Sequence, residues 1–446
     1  VTTVISPPTV PRVFDPRYRA LSAGMVALFM LVAFEYLAVA TAMPVVGREL
    51  DGYHLYSLAF SGGLAAGVIA TVAGGRWGDR RGPDAPLWAG LLAFTLGLVV
   101  SGMAPVMEIF LVGRFLQGLG GGMFNVAVYV LVGRVYPAIM HPRVFSLLAA
   151  AWVLPSVIGP AITGLVTERF SWRWVFLAVP LLAAPAALVL WRGLRASVRE
   201  TPPPPEQTRA FLPRLLLGGL AAIGAGLLQY GSGARHIPLM VAGLLVLVVA
   251  LPRLLPPGTV RAARGLPTVV ALRGVAAGSF FAAEVLVPLV LAQERGLSPA
   301  QAGLVLTGGA VSWSFGSWLQ GRKPYARKGM LRAGSALIAA GIAGTALAVA
   351  GVVPVALSFV AWSVAGLGIG VVYPTLSVLV LELSEPGEQG HNSASLSVGE
   401  SVLTIVAVAV TGAVLTVSAA YAVCFALLVA LAAVGVPLAG RATMET

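Results

Sequence analysis

GRFLQGLGGGMFN, residues 113–125, lies inside an apolar run and places Arg114, an always-charged guanidinium, where lipid-compatible side chains belong. A cation at the centre of a membrane helix costs about 2.5–3.5 kcal/mol on insertion scales and persists where it faces a polar cavity or a partner. The stretch therefore reads as the polar-facing side of a membrane helix whose partner lies elsewhere in the chain. Composition agrees: 58% of the 446 residues are hydrophobic, 10% are charged, and the mean hydropathy is +0.90. Apolar runs repeatedly exceed the ~18 residues that mark a span. The fold class expected is an all-α polytopic membrane protein. The leading segment VTTVISPPTVPRVFDPRYR is polar and Pro-rich, and the apolar run after it has the length of a span, so the first helix is expected to serve as its own insertion signal. Cys424, the single cysteine, lies in a late apolar run, so neither a disulfide framework nor a thiolate metal cluster is expected. No cofactor is called for.

Fourteen spans are expected, the fifth a single helix over about 144–166. With both termini placed in the cytoplasm, lysine and arginine crowd that side. Only Arg48, Arg169, Arg173, Arg235 and Arg295 fall on the other, and Arg114 is the one base assigned within a span. This is the positive-inside asymmetry, so the net charge of +12 reflects topology and no nucleic-acid partner is expected.

An internal repeat is the second organising feature. Gly-Leu-Gly-x-Gly occurs at Gly118–Gly122 and again 248 residues later at Gly366–Gly370. Thr163 and Gly164 map onto Thr411 and Gly412 in the same register, and DRRG at 79–82 maps with a one-residue slip onto ARKG at 326–329. The chain divides accordingly: a tail over 1–20, a six-helix half over 21–195, a linker over 196–210, two inserted helices over 211–256, a second six-helix half over 257–440 and a tail over 441–446. The proline run of the linker favours extended polyproline geometry.

Parallel six-helix repeats are the architecture of major facilitator transporters, with the substrate site near the midplane between the halves. GGRWGDRRGP, residues 74–83, resembles that family's loop signature between the second and third helices. FEYLAVATAMP, residues 34–44, is similar to the first-helix signature of fourteen-helix drug:proton antiporters, with Glu35 where that family has Asp. GRFLQGLGGG carries the fourth-helix Arg and the Gln-Gly that follows. VLPSVIGPAITG, residues 153–164, resembles the antiporter signature of the fifth helix. The resemblance covers nearly the whole chain. It implies a proton-coupled exporter of lipophilic or cationic compounds in the cell membrane, or a relative that exports lipids or glycolipids of the cell envelope. Its expected partners are protons, the bilayer and a lipophilic small molecule, drug or lipid, with the chain working as a monomer.

Three acids fall within spans: Glu35, Glu284 and Glu400. A buried carboxylate poised between desolvation and a nearby cation can bind and release a proton as access alternates. Glu35 and Arg114 lie at similar depths, and the resemblance implies that this pair takes part in coupling; a structural ion pair that orients two helices is the competing reading. Glu284 maps within one residue of Glu35 in the other half and reads as a second protonation or cationic-substrate site, or as a protonated acid bonded between helices. Glu400 aligns with Trp152 and is the fourth coupling candidate. Gln117 and Asn125 share the helix of Arg114 and are cavity candidates, with interhelical hydrogen bonding the alternative. The aromatic cavity candidates are Tyr36, Phe124, Trp152 and Tyr373, against ordinary packing.

In the loop signature Asp79, with Arg80 and Arg81, is expected to act in gating, as a charge relay that locks the halves when the cavity faces outward. Gly159 and Pro160 are expected to allow a kink or a close contact with the second half. The glycine motifs read first as packing. The four histidines, His54, His141, His236 and His391, do not cluster and are expected to be solvated or interfacial, so no metal site is expected. Glu382, Glu385 and Glu388 are placed to pair with basic cytoplasmic loops. No GxxxxGK[ST] sequence is present, which argues against an ATP-driven pump. No nucleophile–base pair occupies the spans, so an enzyme is not expected. A non-transporting scaffold or sensor would have no need of three intramembrane acids and an arginine.

Overall fold

The computed structural model describes residues 12–52, 55–197, 211–233, 236–297, 299–322, 326–418 and 420–443. His54 and most of the expected linker lie outside them. The first half comprises α1 (Arg19–Glu49), α2 (Tyr56–Arg81), α3 (Asp84–Gly102), α4 (Met107–Val135), α5 (His141–Ala150), α6 (Val153–Arg169) and α7 (Arg173–Ser197). The inserted pair is α8 (Phe211–Gly233) and α9 (Ile237–Leu254). The second half comprises α10 (Leu266–Arg295), α11 (Pro299–Arg322), α12 (Arg327–Val349), α13 (Leu357–Glu382), α14 (Gln389–Ser418) and α15 (Tyr421–Leu438). Among the described residues, eleven stretches are long and apolar enough to cross a membrane; α8 offers a shorter apolar stretch, Leu215–Leu228.

The fifth span is not one helix but two. Pro155 has no N–H to donate to the Ala151 carbonyl, so the ladder breaks there. The chain closes instead through a tighter bond from Trp152 N to Ala149 O at 3.2 Å, and α6 starts at Val153. The end of α2 is equally local: Gly82 takes φ +86°, a conformation open to glycine, and Pro83 then leads into α3.

The two glycine motifs do the same packing work in both halves. A Cβ on Gly118 or Gly122 would strike the backbone of α2 at Gly63 and Gly67, and one on Gly120 would strike α3 at Gly90 and Phe94. In the second copy, Gly366 and Gly370 press on α11 at Gly309 and Trp313, while Gly368 presses on α12 at Gly334 and Ile338. Alternate glycines thus let α4 and α13 each wedge between two neighbours at backbone contact. Close approach of this kind is how membrane helices gain dispersion contacts, since lipid offers no hydrophobic drive between them.

The halves meet where α2 lies against α14 and where α5 and α6 lie against α11. Their tightest approaches gather at the end of the bundle that carries the α2–α3 loop, where Gly75 faces Gly390 and Gly321 faces Ser146. Toward the opposite end the halves diverge. Tyr36 lies within electrostatic range of Glu284 and Glu400, both of the second half, yet is 57% exposed, so a cleft separates them at that level. The inserted helix α8 packs on α2 and α14 together, in a cluster that includes Val68, Ala221, Val402 and Ala409.

Candidate functional site

Residues 114 and 117 are three apart on α4 and share a face. Arg114 Nη1 donates to Glu35 Oε1 on α1 at 2.6 Å and to Gln117 Oε1, and its Nε donates to the Ala59 carbonyl of α2 at 3.1 Å. The Gln117 amide donates to Ser101 Oγ on α3 at 3.0 Å, and the Ser101 hydroxyl donates to the Phe110 carbonyl at 3.3 Å. Arg114, Glu35 and Gln117 are all buried. One cation therefore draws polar groups from four helices into a chain without an unpaired member, the condition for a low-dielectric polar network to be tolerated.

Beside this network lies the cleft. Tyr36 follows Glu35 and turns to the open space, with Trp152 against it edge-on at 6.0 Å between ring centroids. Tyr36 stands within electrostatic range of Glu284, Arg114, Glu35 and Glu400 together. Glu284, on α10, is half-buried, and no partner for its carboxylate is found among the described residues. Asn125 is exposed. Phe124 is buried against Phe29, with centroids 5.6 Å apart, inside the first half rather than on the open surface.

The expectation that Arg114 is the only base within a span does not hold. Arg273 is buried on α10, seven residues past the start of the helix or about 10 Å along it. Its Nε donates to Glu400 Oε2 on α14 at 2.7 Å, and its Nη1 donates to the Tyr373 carbonyl of α13 at 3.1 Å and to Ser377 Oγ at 3.3 Å. The guanidinium lies 3.4 Å over the Tyr373 ring. Among the described residues, each half thus carries a buried arginine paired with a glutamate, Glu35 buried and Glu400 partly exposed. The signal was present in the sequence: Arg273 is flanked on both sides by apolar residues, VVALRGVAAG. Its place near a helix end makes it resemble the bases of the adjoining loop.

Asp79 does not work through its flanking arginines Arg80 and Arg81, which are exposed. Its two carboxylate oxygens accept from the backbone N–H groups of Gly390 at 2.7 Å and His391 at 2.8 Å, at the first turn of α14. A residue of the first half thereby caps a helix of the second, where the free N–H groups and helix dipole favour an anion. Arg134 of α4 braces the site by donating to the Gly78 and Asp79 carbonyls at 3.2 and 3.0 Å. The repeat-related Ala326 precedes α12 without any side-chain cap. Gly159 faces Phe34 of α1 at ordinary contact distance, not the second half. Pro160 lies within α6, its side chain outside the described residues.

Glu382 pairs with Arg327. His141, expected at a solvated or interfacial position, is buried, with its Nε2 2.9 Å from the Tyr136 carbonyl.

The Major Facilitator Superfamily profile matches residues 25–407. The chain is 28% identical over 394 residues to a protein of Mycobacterium tuberculosis named as a probable multidrug-efflux transporter, covering 84% of this chain and 82% of that one. It is 24% identical over 387 residues to the multidrug efflux pump SdrM of Staphylococcus aureus, covering 81% and 82%. Among solved structures, the human organic anion transporter MFSD10 superposes with a TM-score of 0.71 at 16% identity over 95% of this chain and 100% of that one. The Escherichia coli fucose:proton symporter FucP superposes at 0.65 and 17% identity over 95% and 98%. A two-fold repeated helical bundle with a charged cleft between its halves, matched by this profile over most of its length, is a transporter, and the chain belongs to the major facilitator superfamily.

Proposed function

We propose that the chain exports lipophilic or cationic compounds across the plasma membrane in exchange for protons, with both termini cytoplasmic, fourteen spans, and the cleft opening outward in the arrangement described above. The observation that carries this reading is the Glu35–Arg114–Gln117 network beside a cleft that holds Glu284, a carboxylate without a partner among the described residues. The names of the relatives point to drug efflux, and the first-helix acid together with the fourth-helix arginine supplies a proton site.

Charged Glu35 compensates Arg114 in a low-dielectric setting. Protonation removes that compensation, and leaving one member of a buried ion pair unpaired costs about 3–5 kcal/mol. Glu35 thus couples proton occupancy to the arrangement of α1 and α4. Glu284, with Tyr36 and Trp152 beside the same space, offers a negative charge and aromatic faces to the cationic part of a lipophilic substrate, through charge attraction and cation–π contact. A membrane potential of 100 mV contributes about 2.3 kcal/mol for each net charge moved inward, so one proton sustains more than a tenfold gradient of a neutral substrate, while exchange for a monovalent cation draws on the pH gradient or on a second proton.

The test is transport of a lipophilic cation by the Glu35→Gln variant in proteoliposomes with an imposed pH gradient. Loss of gradient-driven transport with retained substrate binding is expected. Unimpaired proton-driven transport would sink the assignment. Expression in a drug-sensitive host separates the export of drugs from that of lipids: raised resistance supports the former, and an altered envelope lipid profile without resistance supports the latter.

A further inference from the structure

The sequence repeat and the second ion pair meet at one hydrogen bond. Tyr129 of α4 and Ser377 of α13 are 248 positions apart, the offset of the two glycine motifs, and their hydroxyl oxygens lie 3.0 Å apart across the boundary between the halves. Equivalent residues of two repeats can meet only on the axis that relates them, so this bond marks the pseudo-two-fold axis. The Ser377 hydroxyl donates its single proton to the Tyr373 carbonyl at 3.0 Å. Its lone pairs are then left for Arg273 Nη1 and for the Tyr129 hydroxyl, which must be the donor. The boundary contact is therefore organised by Arg273, and Arg273 is organised by Glu400.

The two ends of this chain differ in access. The Glu400 side chain is 25% exposed and the Arg273 side chain 8%. Around Glu400 stand Arg273 from α10 and Tyr373 from α13, with Tyr129 of α4 beyond Arg273 and Tyr36 of α1 across the cleft. The acid that α2 brings to α14, Asp79, is engaged at the first turn of that helix.

We propose that Arg273 is a positioning residue of the gate on the pseudo-two-fold axis: paired with charged Glu400 it holds Ser377 against Tyr129 and keeps the halves closed there, and loss of the Glu400 charge releases them. Removing one partner of a buried pair strands the other charge, whereas removing both strands none. When the halves separate at this end, water reaches a guanidinium about 10 Å from the start of its helix, and the stranded charge is hydrated.

The experiment measures the distance between spin labels on the full chain in lipid nanodiscs without substrate, so its outcome is independent of whether the chain exports drugs. The labels are carried by Ile139→Cys and Glu385→Cys, both exposed and on connections of opposite halves at the closed end, in a Cys424→Ser background. At pH 8, Glu400→Gln is expected to shift the population about tenfold toward the longer distance. Combining it with Arg273→Gln, which strands no charge but gives up the Arg273 bond to Ser377, is expected to recover the shorter distance only in part, and a merely structural loss of packing would give no recovery at all. Ser377→Ala, which keeps both charges, is expected to lengthen the distance through loss of the axial bond. If Glu400→Gln leaves the distribution unchanged, or the double variant stays as open as the single one, the proposal is overturned. If the single variant does not fold, Ser377→Ala decides: an unchanged distance overturns the proposal and a longer one supports it.

Discussion

Replacing Asp79 by Ala removes both acceptors of the Gly390 and His391 N–H groups, which lie 2.7 and 2.8 Å from its carboxylate. Loss of a helix N-cap costs about 1–2 kcal/mol, and loss of an anion beside the helix dipole costs up to about 1 kcal/mol more. The cap crosses from one half to the other, so this loss falls on the arrangement in which the halves touch at this end. Once they part, the carboxylate and the end of α14 are each solvated. A difference of about 2 kcal/mol displaces the equilibrium roughly 30-fold toward separation. Ala394, 3% exposed and close to Gly75 where the halves touch, supplies the reporter. Ala394→Cys in a Cys424→Ser background should react with a maleimide at a rate set by the open population, and adding Asp79→Ala should raise that rate by about the same 30-fold factor. Asp79→Asn keeps one acceptor oxygen and should fall between. A rate unchanged from the Asp79 protein, with the thermal midpoint also unchanged, would refute the reasoning. A rise accompanied by a collapse of that midpoint would mean that the whole bundle had loosened.

Three further outcomes follow from contacts in the first half. Gly118→Val forces a side chain into the Gly63 backbone, and overpacking of this kind costs about 1–3 kcal/mol, read as a lower melting temperature in detergent. Trp172→Ala empties a site that is fully buried against Phe110 and Phe176 and removes the indole N–H donated to Glu49 Oε2 at 2.8 Å; truncation of a buried Trp costs about 3–5 kcal/mol, read in the same way. Gln117→Leu deprives Arg114 of one acceptor and Ser101 of its donor, a loss of about 1–3 kcal/mol in a buried network. Gradient-driven transport should fall in that variant by more than equilibrium substrate binding does, when both are measured on the same preparation.

How far each feature was legible depended on whether its signal was local. Arg114 could be read because an arginine in the middle of an apolar run has few explanations, and the paired glycine motifs because backbone contact tolerates no substitute at those spacings. Arg273 sits nearer a helix end, where the positive-inside bias expects bases anyway. What makes it a buried ion-paired group is Glu400, which arrives from another helix 127 residues away. Asp79 was legible as a gating candidate, but its partners are backbone N–H groups, which no sequence pattern displays. Proline was a weaker guide than it looked: the ladder breaks ahead of Pro155, while α10 and α13 continue through Pro288 and Pro374. One prolyl residue does not announce whether tertiary packing will hold its helix together. His141 looked solvated by position, and packing around the α4–α5 connection buried it.

The inserted pair has a mechanical consequence. Because α8 touches α2 and α14, which belong to different halves, any movement that parts those two helices must slide α8 along at least one of them. The shared cluster joins alanines of α8, Ala221, Ala222 and Ala225, to branched side chains of α2 and α14, Val68, Val398, Val402 and Ile405. In a bilayer, acyl chains solvate an exposed apolar side chain about as well as a neighbouring helix does, so exchanging one for the other changes the energy little. The surface between α8 and the seam then acts as a bearing, along which those two helices can part at little energetic cost.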